Sequence, residues 1–209
     1  LRLQTLAPDS TELKALETHR AEVEKLLLQH FSESSPTIDY GGSVAKGTLI
    51  KEAYDLDVIC YFEHEDTAAG ASLKDLYENA EAALQENYLV ERKTSALRLK
   101  SKAQDQLGLD FHIDVVPGRY TDDQKGDAYI YQASAEKCRL KTNLRTHVSF
   151  IKNSGVVDAI RLMKLWREQN GLRVKTFALE LLTIELLQDK KALGLADQLK
   201  HVWTVLKEE

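Results

Sequence analysis

Cysteine is nearly absent from this 209-residue chain. Only Cys60 and Cys138 occur, far apart and in apolar or basic surroundings, which gives neither a disulfide framework nor zinc-ligand spacing and fits a reducing compartment. Long apolar runs are missing too. The most apolar stretch, Phe177 to Leu187, is broken by Glu180 and Glu185 and falls far short of the roughly 20 residues a membrane-spanning helix needs. No signal-peptide pattern opens the chain. These absences predict a soluble cytoplasmic protein without a membrane partner. There is also no overall excess of positive charge. A net charge of −5 argues against a surface built throughout for nucleic acid. Internal repeats and low-complexity linkers are likewise missing. The first residue is Leu1 and not methionine, so the start is read as non-native.

Against that acidic background one segment stands out. Between Lys137 and Lys175 there are ten basic residues and two acidic ones, Asp158 and Glu168, so this part of the chain would meet a polyanion. For any single lysine or arginine there, the plainer reading is a charge that solvates an exposed helix face.

Periodicity divides the chain into a mixed half and a helical half. Asp9 and Glu12 read as a capping box ahead of a long amphipathic helix over about 10–31. Ser34, Ser35 and Pro36 break it, and Thr37–Tyr40 reads as a short strand entering a glycine turn. A strand over Asp55–Phe62, a capped helix from Ser72 to about Glu86, and extended segments at Ser95–Lys100 and Leu107–Val116 follow. Beyond about Lys141 the pattern is helical, with candidates at 143–153, 156–170, 176–189 and 193–207. The predicted class is α+β: a core with its N-terminal helix over 1–140 and a helical domain over 141–209, sharing a cleft.

The stretch from Gly41 to Phe62 carries the chemistry. A strand alternates its side chains, so Asp55 and Asp57 leave from one face with Cα atoms roughly 6.5–7 Å apart, while Leu56, Val58, Cys60 and Phe62 face the core. Two such carboxylates, with no lysine or arginine between or beside them, repel each other and attract a divalent cation. Asp114 on a later strand completes a triad. Asp110 competes with it on the same face, and His112 between them reads as a strand-face neighbour because magnesium prefers oxygen. Oxygen-only ligands suit Mg²⁺ or Mn²⁺, and a pair of such ions about 3.5–4 Å apart clamps the attacking and leaving oxygens of a phosphoryl displacement. Gly41-Gly42 before Ser43, and Gly47-Thr48 after it, let bare backbone N–H groups and a hydroxyl approach phosphate oxygens.

Gly42-Ser43, eleven intervening residues, Asp55-Leu56-Asp57-Val58, and Ile113-Asp114-Val115 on a later strand together resemble the signature of the DNA polymerase β-type nucleotidyltransferase superfamily. Downstream, the runs Ala159–Trp166 and Lys175–Thr183 are similar to the helical half of oligoadenylate synthases and of bacterial cyclic-oligonucleotide synthases related to cyclic GMP-AMP synthase. Archaeal-type CCA-adding enzymes share much of this, including a stretch like Val115-Val116-Pro117. These families usually continue past the point where this chain ends at Glu209, so the helical half is expected to be truncated.

The resemblance implies a nucleotidyltransferase fold, NTP substrates with ATP foremost, pyrophosphate release, and short linear or cyclic oligonucleotides that act as second messengers in antiphage-type signalling, with a nucleic acid or protein as activator. It implies that Asp55 and Asp57 bind two metal ions, and that Asp114 binds the catalytic one and helps deprotonate the attacking hydroxyl. Gly42 and Ser43 would hold the phosphates, joined by Lys164 and by Lys175 and Thr176, and Phe177 would stack on the base. For Phe177 the competing reading is simple core. Arg98 and Lys100, with Lys102 beyond the strand, stay open between lining the cleft and facing water. The alternatives to the messenger synthase are a CCA-adding tRNA nucleotidyltransferase and a non-catalytic nucleotide-binding module.

Overall fold

The computed structural model describes residues 10–51, 55–102, 112–134 and 136–208, with side chains throughout these except at 10–13, 16, 55, 112 and 208. Asp9, Asp110 and the 107–111 part of the expected second extended segment lie outside the described residues. None of the described helices is long and apolar enough to cross a membrane.

Fourteen elements are described in chain order. They are α1 (Ser10–His30), β1 (Thr37–Tyr40), α2 (Gly42–Lys46), β2 (Asp55–Phe62), α3 (Leu73–Leu84), β3 (Tyr88–Arg92), β4 (Leu97–Ser101), β5 (His112–Tyr120), β6 (Ala128–Tyr131), β7 (Arg139–Thr142), α4 (Leu144–Lys152), α5 (Val157–Gln169), α6 (Thr176–Leu186) and α7 (Leu195–Glu208). Among the described residues, Cα packing separates two units: one holds those of 10–42 together with those of 55–145, the other those of 43–51 together with those of 146–208.

The first unit is built on a mixed seven-stranded sheet of order β1-β2-β5-β4-β3, with β6 paired to β5 and β7 to β6. β2 and β5 run parallel at its centre; the other pairings are antiparallel. Val23 and Leu27 of α1 and Leu76, Ala80 and Leu84 of α3 are buried, as are Leu56, Val58, Cys60 and Phe62 on one face of β2. The Phe31 ring meets Phe62 edge-on at 4.8 Å, the favoured geometry for aromatic pairs. Ser72 caps α3 in a reciprocal box with Asp75, as its sequence predicts.

The other face of β2 is the one that bears Asp57. Beyond Asp57 it turns apolar, and Ile59 and Tyr61 pack with Tyr120, Ala128 and Ile130 into a small second core. Only the start of that face carries charge. The cause is β6, a four-residue strand whose Ala128 and Ile130 need a buried partner.

In the second unit α5, α6 and α7 surround a core that includes Ile151, Val156, Ile160, Met163, Leu179, Ile184, Leu187 and Val202. Ile50 and Leu165 form a smaller cluster. The expected glycine-serine turn is in fact the one-turn helix α2, entered at Gly42 with φ 63°.

Candidate functional site

β1 delivers the chain to the site and is held firmly on its way. The Tyr40 hydroxyl donates to the Glu24 carboxylate, and the Arg20 guanidinium lies 3.9 Å from the centre of the Tyr40 ring. Burial, and then the Glu24 carboxylate, push Tyr40 up to about 12, so it remains a protonated donor at neutral pH. From there the Gly41 amide donates to the Asp57 carbonyl at 2.9 Å. Gly42 then turns in the left-handed region, where only glycine is unstrained. A Cβ built at Gly42 would lie 1.6 Å from Asp57 Oδ2 and 2.7 Å from its Cγ. The Asp57 carboxylate therefore rests against the bare Cα of Gly42, in space that no side chain at position 42 can share.

Register fixes the carboxylates relative to each other. Asp57 of β2 pairs with Asp114 of β5, and position 55 pairs with His112. Parallel neighbours lie about 4.8 Å apart with their side chains on a common face, so Asp57 and Asp114 form an adjacent acidic pair. The Asp55 side chain lies outside the described residues, and among those described no group of three or more His, Cys, Asp or Glu is placed to hold a metal ion. Asp57 and Asp114 nonetheless fit a hard divalent cation, which takes oxygen ligands and keeps several waters.

Asp114 has a cationic partner that the spacing of the sequence did not indicate. Arg98 of β4 pairs in register with Asp114 and grips it through two bonds, Nε to Oδ1 at 2.8 Å and Nη2 to Oδ2 at 2.7 Å. Arg98, left open between lining the cleft and facing water, is thus tied to the acidic pair. Lys100 is exposed.

The helical unit holds the rest of the predicted set. Lys164 is only 1% exposed, and its ammonium donates to the Thr48 carbonyl at 2.8 Å. It is not a solvated helix lysine. Glu180, fully buried, accepts from Lys46 Nζ and from Thr48 Oγ1, both at 2.8 Å. Ser43 is buried, and its carbonyl accepts from the Thr48 amide at 2.9 Å. Lys164, Glu180 and Lys46 thus form a polar lock on the 43–48 segment. The sequence reading treated Glu180 only as an interruption in an apolar run. Its signal was a carboxylate at a position whose helical neighbours are core, which burial permits only with a partner.

Lys175 is exposed and precedes the first turn of α6, and Thr176 accepts from Arg167 Nη1. Phe177 is not core: it is 37% exposed, its ring 4.9 Å from that of His147 and 5.1 Å from Lys46 Nζ. Burial and then the Lys46 charge hold His147 below its ordinary value, so its ring favours the neutral form.

No protein-family model matches the chain, and no curated protein matches it by sequence. Its fold, however, matches solved structures. E. coli MS115-1 CdnC with ATP superposes at TM-score 0.69 and 20% identity, over 97% of this chain and 68% of CdnC. The Rhodothermus marinus CdnE c-UMP-AMP synthase with Apcpp and Upnpp gives 0.69 at 16%, over 100% and 81%. Vibrio cholerae DncV in its 3′-deoxy ATP bound form gives 0.68 at 19%, over 90% and 57%. CdnC in complex with HORMA-deltaN matches at 0.64 and 20% identity, over 92% of this chain, which spans 63% of that CdnC chain. The chain shares the nucleotidyltransferase fold of these bacterial proteins, and it spans less than two thirds of the length of some of them.

Proposed function

We propose that the protein is a divalent-metal-dependent nucleotidyltransferase that joins nucleoside triphosphates into short linear or cyclic oligonucleotides, releasing pyrophosphate. The observation that carries this reading is the acidic pair Asp57 and Asp114 on adjacent parallel strands, with Gly42 packed bare against the Asp57 carboxylate. A strand pair that only binds a nucleotide has no need of adjacent carboxylates. The fold shared with nucleotide-bound bacterial synthases supports the same reading.

Held by Asp55, Asp57 and Asp114, Mg²⁺ or Mn²⁺ ions would offset phosphate charge and lower the pKa of the attacking hydroxyl. Asp114 then accepts the proton of the ribose hydroxyl. The hydroxyl oxygen bonds to the α-phosphorus as the bond to the bridging oxygen breaks, and pyrophosphate leaves. Gly42 keeps side-chain atoms away from the phosphates, and the Ser43 hydroxyl donates to them. Lys164 serves them through the 43–48 segment whose Thr48 carbonyl it holds. Lys175 offers a charge and Thr176 a hydroxyl, and the half-open face of Phe177 offers a stacking surface to a base. Second-messenger signalling of antiphage type, cytoplasmic placement and a protein or nucleic-acid activator belong to the same proposal; CdnC in its HORMA-deltaN complex is a neighbour that engages a protein.

Product analysis tests it. The protein, incubated with Mg²⁺ or Mn²⁺ and the four labelled NTPs, alone and with tRNA lacking its 3′ end, is expected to form short oligonucleotides without tRNA. Labelling confined to tRNA would establish the CCA-adding alternative. Triphosphate binding without any pyrophosphate release would leave a binding module.

A further inference from the structure

Register aligns four charged residues in a single row across the sheet: Glu91 of β3, Arg98 of β4, Asp114 of β5 and Asp57 of β2. Arg98 and Asp114 are the inner opposite-charge pair. The Arg98 side chain is 24% exposed and that of Asp114 16%, so water screens their contact less than it screens a surface ion pair. A carboxylate oxygen has two lone pairs, and the two parallel bonds from Arg98 take one from each oxygen of Asp114.

The strand that carries Arg98 is itself pinned at both ends. At one end the Tyr77 hydroxyl donates to the Ala96 carbonyl at 2.7 Å. At the other, Lys102 Nζ donates to the carbonyls of Gln85 and Glu86, each at 2.7 Å. The guanidinium is thus presented to Asp114 by a fixed backbone.

We propose that Arg98 is a positioning residue that acts as the resident counter-charge of the Asp57–Asp114 pair, and that it makes divalent-cation binding depend on an incoming triphosphate. Without a cation, Arg98 orients Asp114 and offsets the repulsion between the two carboxylates. The same guanidinium occupies lone pairs a cation would use and adds positive charge beside its position, so the protein alone binds divalent ions weakly. A triphosphate brings about four negative charges and its own oxygen ligands, which outweigh that opposition. This inference rests on the nucleotidyltransferase reading above and adds to it a reason for ordered loading.

The test is a Mn²⁺ titration of the full chain, followed by the loss of the free-ion electron paramagnetic resonance signal, with and without a non-hydrolysable ATP analogue. Arg98→Met keeps the aliphatic stem and removes the charge. In the nucleotide-free state it is expected to bind Mn²⁺ about tenfold or more tightly than wild type. Arg98→Lys keeps the charge and loses the fork, so its gain is smaller, about threefold. Adding Asp57→Asn to Arg98→Met should remove the gain, which places the ion at the acidic pair. Melting temperatures of both Arg98 variants should fall in chelator and recover with Mn²⁺ more than wild type does.

Unchanged or weaker Mn²⁺ binding by Arg98→Met, alongside triphosphate-dependent binding by wild type, overturns this inference and leaves the nucleotidyltransferase reading standing. Wild-type protein that binds no Mn²⁺ even with the analogue overturns both. If Arg98→Met does not fold in chelator, Arg98→Lys carries the readout, and wild-type affinity in that variant overturns the inference.

Discussion

Asp57→Asn is expected to lower the rate of nucleotide joining by about a thousandfold or more while leaving the protein folded. The rate loss follows from chemistry: a neutral amide cannot offset the charge of a divalent cation, and positioned electrostatic groups of this kind contribute orders of magnitude to phosphoryl transfer. Retention of the fold follows from packing. Asparagine has the shape of aspartate, so its side chain still lies against Gly42, the contact that a Cβ at Gly42 would invade at 1.6 Å. Removing a charge beside Asp114 also relieves repulsion across the β2–β5 register. The melting temperature should therefore stay level or rise slightly. A fall as large as a core deletion produces would make Asp57 a structural residue and remove the main support for the proposed chemistry.

The largest loss of stability is expected from Glu180→Ala. Glu180 is fully buried and accepts from both Lys46 and Thr48. Taking away one partner of a buried pair leaves the other charge uncompensated, which costs about 3–5 kcal/mol. For a chain of this size that is a drop on the order of 10 °C in melting temperature. Lys46 is 12% exposed at its side chain and has only limited access to water as a substitute. Glu180→Gln, which keeps an acceptor, should lose less. Thermal melts of both variants check this, and a Glu180→Ala protein that melts within a degree or two of wild type would show that the lock on the 43–48 segment contributes little.

Much of the fold was legible because its signals are local. β1 and β2 fall at Thr37–Tyr40 and Asp55–Phe62, as alternation indicated, and the four C-terminal helices lie where apolar spacing placed them. β3 and β7 escaped because their sequences, Tyr-Leu-Val-Glu-Arg and Arg-Leu-Lys-Thr, carry no alternation. Leu89 and Leu140 are exposed there; β7 has no buried residue and β3 only Tyr88, so the hydrogen bonds of their partners do more to specify both strands than a buried face does. β6 was missed for its brevity, and with it the second core against Ile59 and Tyr61.

The candidate site divides along the same line. Spacing within one strand makes an acidic pair visible, and the glycines before Ser43 announce a close backbone approach. Cross-strand register is not local, so nothing in the sequence around Arg98 shows that it faces Asp114, sixteen residues away. Lys164 shows the opposite failure. Its helix spacing alone leaves open whether a lysine there reaches water or folds inward, and the outcome depends on an acceptor more than a hundred residues earlier, the Thr48 carbonyl.

The central claim is that the acidic pair holds divalent ions together with a triphosphate, and a cation count tests it most directly. Two octahedral ions require about twelve oxygens, of which three carboxylates supply only a few, so phosphate and water must provide the rest. Calorimetric titration of the wild-type chain with Mg²⁺ should show two ions bound per chain in the presence of a non-hydrolysable ATP analogue and only weak binding without it. Two tight Mg²⁺ sites in the nucleotide-free protein, or no binding that depends on the analogue, would contradict the account.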